Sequence, residues 1–231
     1  MRHSLCVILL GILPGITAGT IAAQDPAAVS PNNYPHNYKV EIDNPWVRVF
    51  RVKQGPHEKT RVYESPASVT VYLTDADQKL TGPGGKAQEM KHKLGEASYT
   101  EAGKHSLENV SDQPLEEIIV ELKPDAPKGA GMPPAALDPV KVEPDYAKVL
   151  FENDRVRVLH TVLGAHVKNP LHAHPHNVVV FAIAPETITT PDGKTLDNPR
   201  KAGVVRWAEA TQHATGNTTD KDTLEIQVEL K

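Results

Sequence analysis

The sequence predicts an all-β fold, with two antiparallel barrels of the jelly-roll type in tandem. Its apolar runs are short and rich in β-branched residues, as in 178–181, and the segment 224–230 alternates apolar and polar residues with a period of two. Glycine- and proline-rich turn signals, such as 82–85, separate these runs, and few windows show helical periodicity. Short strands at this spacing are typical of barrels and jelly rolls.

An internal repeat predicts that the chain contains two domains. Asn44 and Gly55 recur as Asn153 and Gly164, at a spacing of 109 residues. After one deletion the spacing becomes 108, and it holds to the end of the chain, where 228–231 repeats the Val-Glu-Leu-Lys of 120–123. The period is too long for a solenoid, so each copy is expected to fold as a domain. Residues 124–145 lie between the copies, are rich in proline, alanine and glycine, and predict a semi-extended linker.

The N-terminal residues 1–23 predict a signal peptide. Arg2 precedes a weakly apolar stretch that glycine and proline interrupt, and small residues lie just before Gln24. A membrane anchor is the alternative, but a spanning helix needs about 20 solidly apolar residues. Cleavage near Gln24 would place the mature protein in the periplasm or outside the cell, with residues 24–35 as an N-terminal extension. It would also remove Cys6, so that neither a disulfide nor a thiolate ligand is expected.

The charge balance excludes some partner classes. The chain has 25 lysines and arginines against 29 acidic residues, a net charge of −4, and no block of like charge. Binding to nucleic acid or to an anionic membrane surface is therefore not expected. A small molecule is the expected partner, and the exposed edges of barrels would allow a homodimer.

A histidine run distinguishes the second copy from the first. His172, His174 and His176 alternate along the chain, whereas the first copy has Tyr63, Ser65 and Ala67 at these positions. Residues two apart on a strand point to the same face, so His172 and His174 could share an ion at about 2 Å from each nitrogen. The proline between His174 and His176 leaves the direction of His176 open. His213, which is distant in sequence, is the candidate third ligand from a neighbouring strand.

These motifs resemble those of the cupin superfamily, and the whole mature chain resembles a bicupin. Cupins have a glycine and His-x-His in a first motif and His-x-x-x-Asn in a second, which fall here on His172, His174, His213 and Asn217. The resemblance implies two double-stranded β-helix barrels, at 36–123 and 146–231. It also implies one divalent transition metal (Fe, Mn, Zn, Ni or Cu) in the second barrel, since the first lacks the histidines.

The second copy departs from the cupin motifs at several positions. Val178 and Val179 stand where the family usually has a ligating glutamate, and Ala208 and Ala210 replace a proline and a glycine. A three-histidine site resembles that of some cupin dioxygenases, and it leaves coordination positions open to water, dioxygen or an anionic substrate. A fourth ligand from His176 would instead favour a closed, structural zinc site.

The residues around the histidines lead to further expectations. Four apolar or aromatic side chains are expected to line the pocket: Val178, Val180, Phe181 and Trp207. Asn109 and Asn217 occur in both copies and are expected to form turns. Glu209 is either a solvated carboxylate or a general base, so no residue is assigned a catalytic role.

Three functional hypotheses follow from this sequence. The first is an exported bicupin with one metal ion, acting as a dioxygenase-type enzyme on a small organic molecule. The second is a non-catalytic module that binds a metal or a small ligand. The third is a structural protein with a vestigial site.

Overall fold

The computed structural model describes residues 35–127, 131–189 and 194–231. The predicted signal peptide lies outside these residues, as does almost all of the N-terminal extension. Within the described ranges nearly all regular structure is β-strand; helix α1 (Pro139–Val142) and a 3-10 turn at Pro83–Gly85 are short. None of the helices described is long and apolar enough to span a bilayer.

The N-terminal half (residues 35–123) contains two antiparallel sheets. The larger has the strand order β1-β2-β9-β4-β7 and the smaller the order β3-β8-β5-β6. The strands are β1 (Tyr38–Asp43), β2 (Val47–Gln54), β3 (Tyr63–Ser65), β4 (Ser68–Tyr72), β5 (Ala76–Thr81), β6 (Ala87–His92), β7 (Ala97–Thr100), β8 (Gly103–Asn109) and β9 (Leu115–Leu122).

The C-terminal half (residues 146–231) repeats this arrangement. Its large sheet has the order β10-β11-β18-β13-β16, and the pairs β12-β17 and β14-β15 correspond to the smaller sheet. The strands are β10 (Ala147–Glu152), β11 (Val156–Leu163), β12 (His172–His174), β13 (Asn177–Ile183), β14 (Thr187–Thr189), β15 (Thr195–Asp197), β16 (Val205–Ala208), β17 (Thr211–His213) and β18 (Thr223–Leu230). The all-β prediction is confirmed.

The two large sheets share one apolar core. Valine, isoleucine and leucine side chains from β2, β4 and β9 pack in a single cluster with those from β11, β13 and β18. The valines that alternate along β2, Val47 and Val49, are fully buried in it. Gly95, at φ +83°, lies so close to Leu224 of the other half that a Cβ atom would collide with the leucine. The core-facing side of each large sheet is therefore occupied by contact with the other half.

The segment between the halves is attached to the C-terminal half. Asp138 caps α1 by accepting a hydrogen bond from the Val140 amide (3.2 Å), and the Ala173 amide of β12 donates to the Leu137 carbonyl (2.8 Å). This attachment places α1 and the residues after it beside the histidine strand.

Candidate metal centre

The structure brings three of the predicted histidines together. Strands β12 and β17 pair antiparallel, and His172 lies directly opposite His213. His174 points to the same side of β12, because residues two apart share a face. One ring nitrogen from each of the three lies within 4.8 Å of the others, and the Nε2 atoms of His172 and His213 are 2.9 Å apart.

Hydrogen bonds to the Nδ1 atoms orient two of these rings. His172 Nδ1 donates to the Pro170 carbonyl (2.9 Å), and His174 Nδ1 donates to Glu229 Oε1 (2.7 Å). Each Nε2 is then the unprotonated nitrogen that faces the centre. His174 Nε2 is buried and has no hydrogen-bond partner among the described residues. An orphaned acceptor of this kind, beside two other imidazoles, fits a metal ligand.

A buried ion-pair chain extends from His174 to α1. Glu229 is fully buried, and its second oxygen accepts a hydrogen bond from Arg157 Nε at 2.6 Å. Arg157 Nη1 lies 3.0 and 3.1 Å from the two carboxylate oxygens of Asp138, the residue that caps α1. The same carboxylate thus contacts both the Arg157 guanidinium and the His174 ring.

Glu143 follows α1 and reaches the same site. One of its oxygens lies 3.6 Å from His172 Nδ1, and the other accepts a hydrogen bond from Asn169 Nδ2 (2.7 Å). Burial raises the pKa of this carboxyl to about 7, while the charge of His174 and the hydrogen bond from Asn169 oppose the shift. Glu143 can thus hold or release a proton close to neutral pH.

The surroundings of His213 and His172 favour the neutral imidazole that metal binding requires. Burial and the neighbouring His172 and His174 lower the pKa of His213 to about 4, with a further contribution from the charge of Arg200. Burial also lowers the pKa of His172. Neutral imidazoles at ordinary pH need not release a proton before they coordinate an ion.

The three histidines line a cavity of about 220 Å³. Phe181 and Trp207 are in its wall, together with Val179. Val178 and Val180 are not: both are 0% exposed and belong to the apolar core between the halves. Side chains alternate along β13, so a strand that aims 179 and 181 into the cavity must aim 178 and 180 away from it.

His176 lies apart from the group formed by the other three histidines. Its ring stacks on Trp46 of the N-terminal half (centroids 4.9 Å apart) and on Trp207 (5.8 Å), and its Nε2 is 3.0 Å from Glu209. Glu209 also accepts a hydrogen bond from the Trp207 indole (2.7 Å). His176 and Glu209 therefore belong to a stack between the halves.

The asparagine of the second motif forms a turn. Asn217 Nδ2 donates to three backbone carbonyls, and its Oδ1 accepts from Thr219. Asn109 makes the corresponding bonds in the N-terminal half. Both asparagines thus have the turn-forming role that their repetition indicated.

The N-terminal half has the same strand pairing but a filled interior. Tyr63 lies opposite His105 in the register that joins His172 to His213, and its hydroxyl contacts His105 Nε2 at 3.1 Å. The cavity at this position, which Tyr63 and Tyr72 line, holds about 20 Å³, enough for roughly one water molecule. The tyrosines occupy the volume that is open in the other half.

Several residues of the site were missed by the sequence analysis. Asp138 and Glu143 lie in the segment interpreted as a linker, where no periodicity pointed to a role. Arg157 and Glu229 occupy polar positions of strands that alternate, where an exposed side chain is the ordinary expectation, so the sequence did not mark them as buried.

Comparisons with known proteins agree with the architecture. No family model matches the sequence, and no curated protein matches it. The fold is similar to that of AerE from Microcystis aeruginosa, with 11% identity over 87% of this chain and 99% of that chain and a TM-score of 0.56. A variant of oxalate decarboxylase from Bacillus subtilis has 13% identity over 80% of this chain and 68% of that chain, with a TM-score of 0.54.

A third solved structure is similar to a comparable extent. It is a variant of salicylate 1,2-dioxygenase from Pseudoaminobacter salicylatoxidans, with 13% identity over 79% of this chain and 70% of that chain and a TM-score of 0.50. At these identities the likeness concerns the fold alone. The chain has the all-β cupin fold.

Proposed function

We propose that this protein is an exported bicupin that binds one divalent transition metal in its C-terminal half, through Nε2 of His172, His174 and His213. The observation that carries the proposal is the orientation of the rings. The Nδ1 atoms of His172 and His174 donate hydrogen bonds to other acceptors. His174 Nε2 is buried and has no hydrogen-bond partner among the described residues. A buried polar atom of this kind is costly unless a ligand satisfies it.

Three histidine ligands suit a reactive metal ion better than a structural metal ion. Three neutral imidazoles add no ligand charge and leave coordination positions open, and a bound metal would supply Lewis acidity or activation of dioxygen. Phe181 and Trp207 contribute aromatic surface to the cavity wall. Glu143 holds a proton near the site that it can exchange with a substrate.

The proposal extends to a dioxygenase-type oxidation of a small organic molecule. The fold is also that of salicylate 1,2-dioxygenase and of oxalate decarboxylase. The test is spectroscopy of the iron(II)-loaded protein, before and after addition of dioxygen and small organic acids. We expect an exchangeable water on the ion and a substrate-dependent change in the spectrum. An ion without exchangeable water would contradict catalysis and favour the binding-module hypothesis.

Metal analysis of protein purified without a histidine tag tests the site itself. We expect one equivalent of divalent metal per chain in the wild type and none in His172→Ala. His166→Ala is the matched control, because His166 is exposed in the same segment and pairs with Asp220 (2.9 Å). Equal metal content in the wild type and in His172→Ala would contradict the proposal.

Export has its own test. The leader at 1–23 supports it, and the mass of the protein from a periplasmic or culture fraction locates the mature N-terminus. We expect a chain that begins near Gln24. A cytoplasmic protein that retains residues 1–23 would contradict export without affecting the metal site.

A further inference from the structure

The cavity wall carries two arginines that form no ion pair within the described residues, although the charges of both oppose the rise that burial causes in the pKa of Glu225, another residue of the wall. Arg200 and Arg206 both line the cavity that contains the three histidines. The Arg206 guanidinium donates to the Pro199 carbonyl (2.7 Å) and lies 6.0 Å from the centre of the Phe181 ring. For Arg200, the described part of the chain provides no hydrogen bond or ion pair to the guanidinium.

Three other arginines of this fold are paired with acids. Arg48 pairs with Asp43 at 2.9 Å, Arg51 pairs with Glu116, and Arg157 pairs with both Asp138 and Glu229. Arg200 and Arg206 differ from these three in that no carboxylate of the described residues, including that of Glu225, lies within ion-pair distance, so their charges also face the open space of the cavity. Such an arrangement raises the local concentration of anions and favours their entry.

The two arginines occur only in the half that has the histidines. The 108-residue repeat places His92 at the position of Arg200 and Ser98 at that of Arg206. In the N-terminal half these residues pack around Tyr72: His92 stacks on its ring at 4.2 Å, and Ser98 hydrogen bonds to its hydroxyl at 2.8 Å. Where the cavity is filled, the positive charges are absent as well.

The loop that presents Arg200 is ordered by its own contacts. Asn198 is buried, donates to the Pro185 carbonyl (2.8 Å) and accepts a hydrogen bond from the Arg200 amide (2.9 Å). The Arg206 bond to Pro199 holds the same loop from the other side. This arrangement positions the Arg200 backbone before any ligand arrives, which lowers the entropic cost of binding.

We infer that the cavity binds a small organic carboxylate, with the carboxylate group on the Arg200 guanidinium, beside Arg206, and the rest of the molecule facing the three histidines. The inference rests on the proposed metal site. A guanidinium fork matches the two oxygens of a carboxylate better than it matches a neutral amide. A volume of about 220 Å³ is below the range typical of drug-sized ligands and limits the molecule to a few carbons or one ring.

The test compares acids with their amides on the full chain loaded with zinc, in a buffer free of carboxylates. Benzoate and acetate are titrated against benzamide and acetamide by calorimetry, after the zinc content has been measured. We expect at least one acid to bind saturably and roughly tenfold or more tightly than its amide. Arg200→Gln should remove that preference and keep one zinc per chain, and Arg200→Lys should restore part of it. Arg61→Gln, at an exposed arginine of the N-terminal half, is the matched control and should match the wild type.

Each other result overturns a defined part of the inference. Equal binding of acid and amide, no saturable binding of either acid, or an unchanged preference in Arg200→Gln would overturn the carboxylate assignment and leave the metal site standing. A wild type that holds no zinc would contradict the proposed function itself, and the metal analysis reveals this before any titration.

Discussion

His174 donates its Nδ1 proton to Glu229 Oε1 across 2.7 Å, and Glu229 in turn accepts a hydrogen bond from Arg157. This contact joins a candidate metal ligand to the most completely buried carboxylate of the C-terminal half. It selects the tautomer of His174 in which Nε2 is free, and it fixes the plane of the ring. The properties of the metal site should therefore depend on residues that do not touch the ion.

Glu229→Gln should weaken metal binding while leaving the three histidines in place. The amide is a poorer acceptor and carries no charge, so we expect a loss of about 10- to 100-fold in metal affinity. Competition with a chelator measures the change. Glu121→Gln, at the equivalent position of the N-terminal half, is the matched control and should bind metal as the wild type does. Equal affinities in Glu229→Gln and the wild type would contradict a role for the carboxylate in orienting His174.

Asp138→Asn should destabilise the protein by about 3 kcal/mol, because it leaves the buried Arg157 with one carboxylate instead of two. Urea unfolding monitored by circular dichroism measures the loss. Asp43→Asn is the control, since Arg48, the repeat counterpart of Arg157, pairs with the more exposed Asp43. The control should cost less than about 1 kcal/mol. Similar losses of unfolding free energy in the two variants would show that burial of the ion pair between Arg157 and Asp138 adds nothing to stability.

Glu117→Gln should change how stability depends on pH. Burial raises the pKa of Glu117 to about 7, and its Oε2 accepts a hydrogen bond from Gln78 (3.1 Å). The folded state therefore holds a proton that the unfolded chain releases near 4.5, so this contribution is complete below 4.5 and is lost as pH rises to about 7. This loss of about 3 kcal/mol should appear as the difference between the wild-type and Glu117→Gln stability curves, because the other titrating groups are present in both proteins.

Urea unfolding at a series of pH values from 4.5 to 7 gives the two stability curves of this comparison. Glu64→Gln, which removes an exposed carboxylate of β3, is the control and should follow the wild type. If the Glu117→Gln curve ran parallel to that of the wild type, Glu117 would not be a proton-binding group of the folded state.

His176→Ala should retain one metal ion per chain. The ring stacks between Trp46 and Trp207, and its Nε2 pairs with Glu209. The expected effect is on the contact between the halves, a loss of about 1 kcal/mol of stability from the aromatic packing. Metal analysis and thermal unfolding measure the two effects. Loss of the ion in this variant would show that His176 is a metal ligand.

Much of the fold could be predicted because it depends on local patterns. The period-two alternation of 224–230 and the β-branched run at 178–181 are strands in the structure, as are their repeat counterparts. The approach of His213 to His172 could be predicted, because the repeat and the resemblance to cupins supplied the second motif. The segment 124–145 offered no such pattern, so the approach of Glu143 to His172 could not be anticipated.

The sequence by itself determined that the chain is a duplicated β protein and that one copy carries the histidines, since alternation and repetition are properties of neighbouring residues. Only the tertiary structure decided which face of β13 lines the cavity. The alternation of side chains places Val178 and Val179 on opposite faces of β13, but it does not determine which of them faces the cavity. The packing of the two halves places Val178 in the shared core and leaves Val179 in the cavity wall. It also decided the partners of the histidines, because contacts such as His174 with Glu229 join residues that are far apart in the chain.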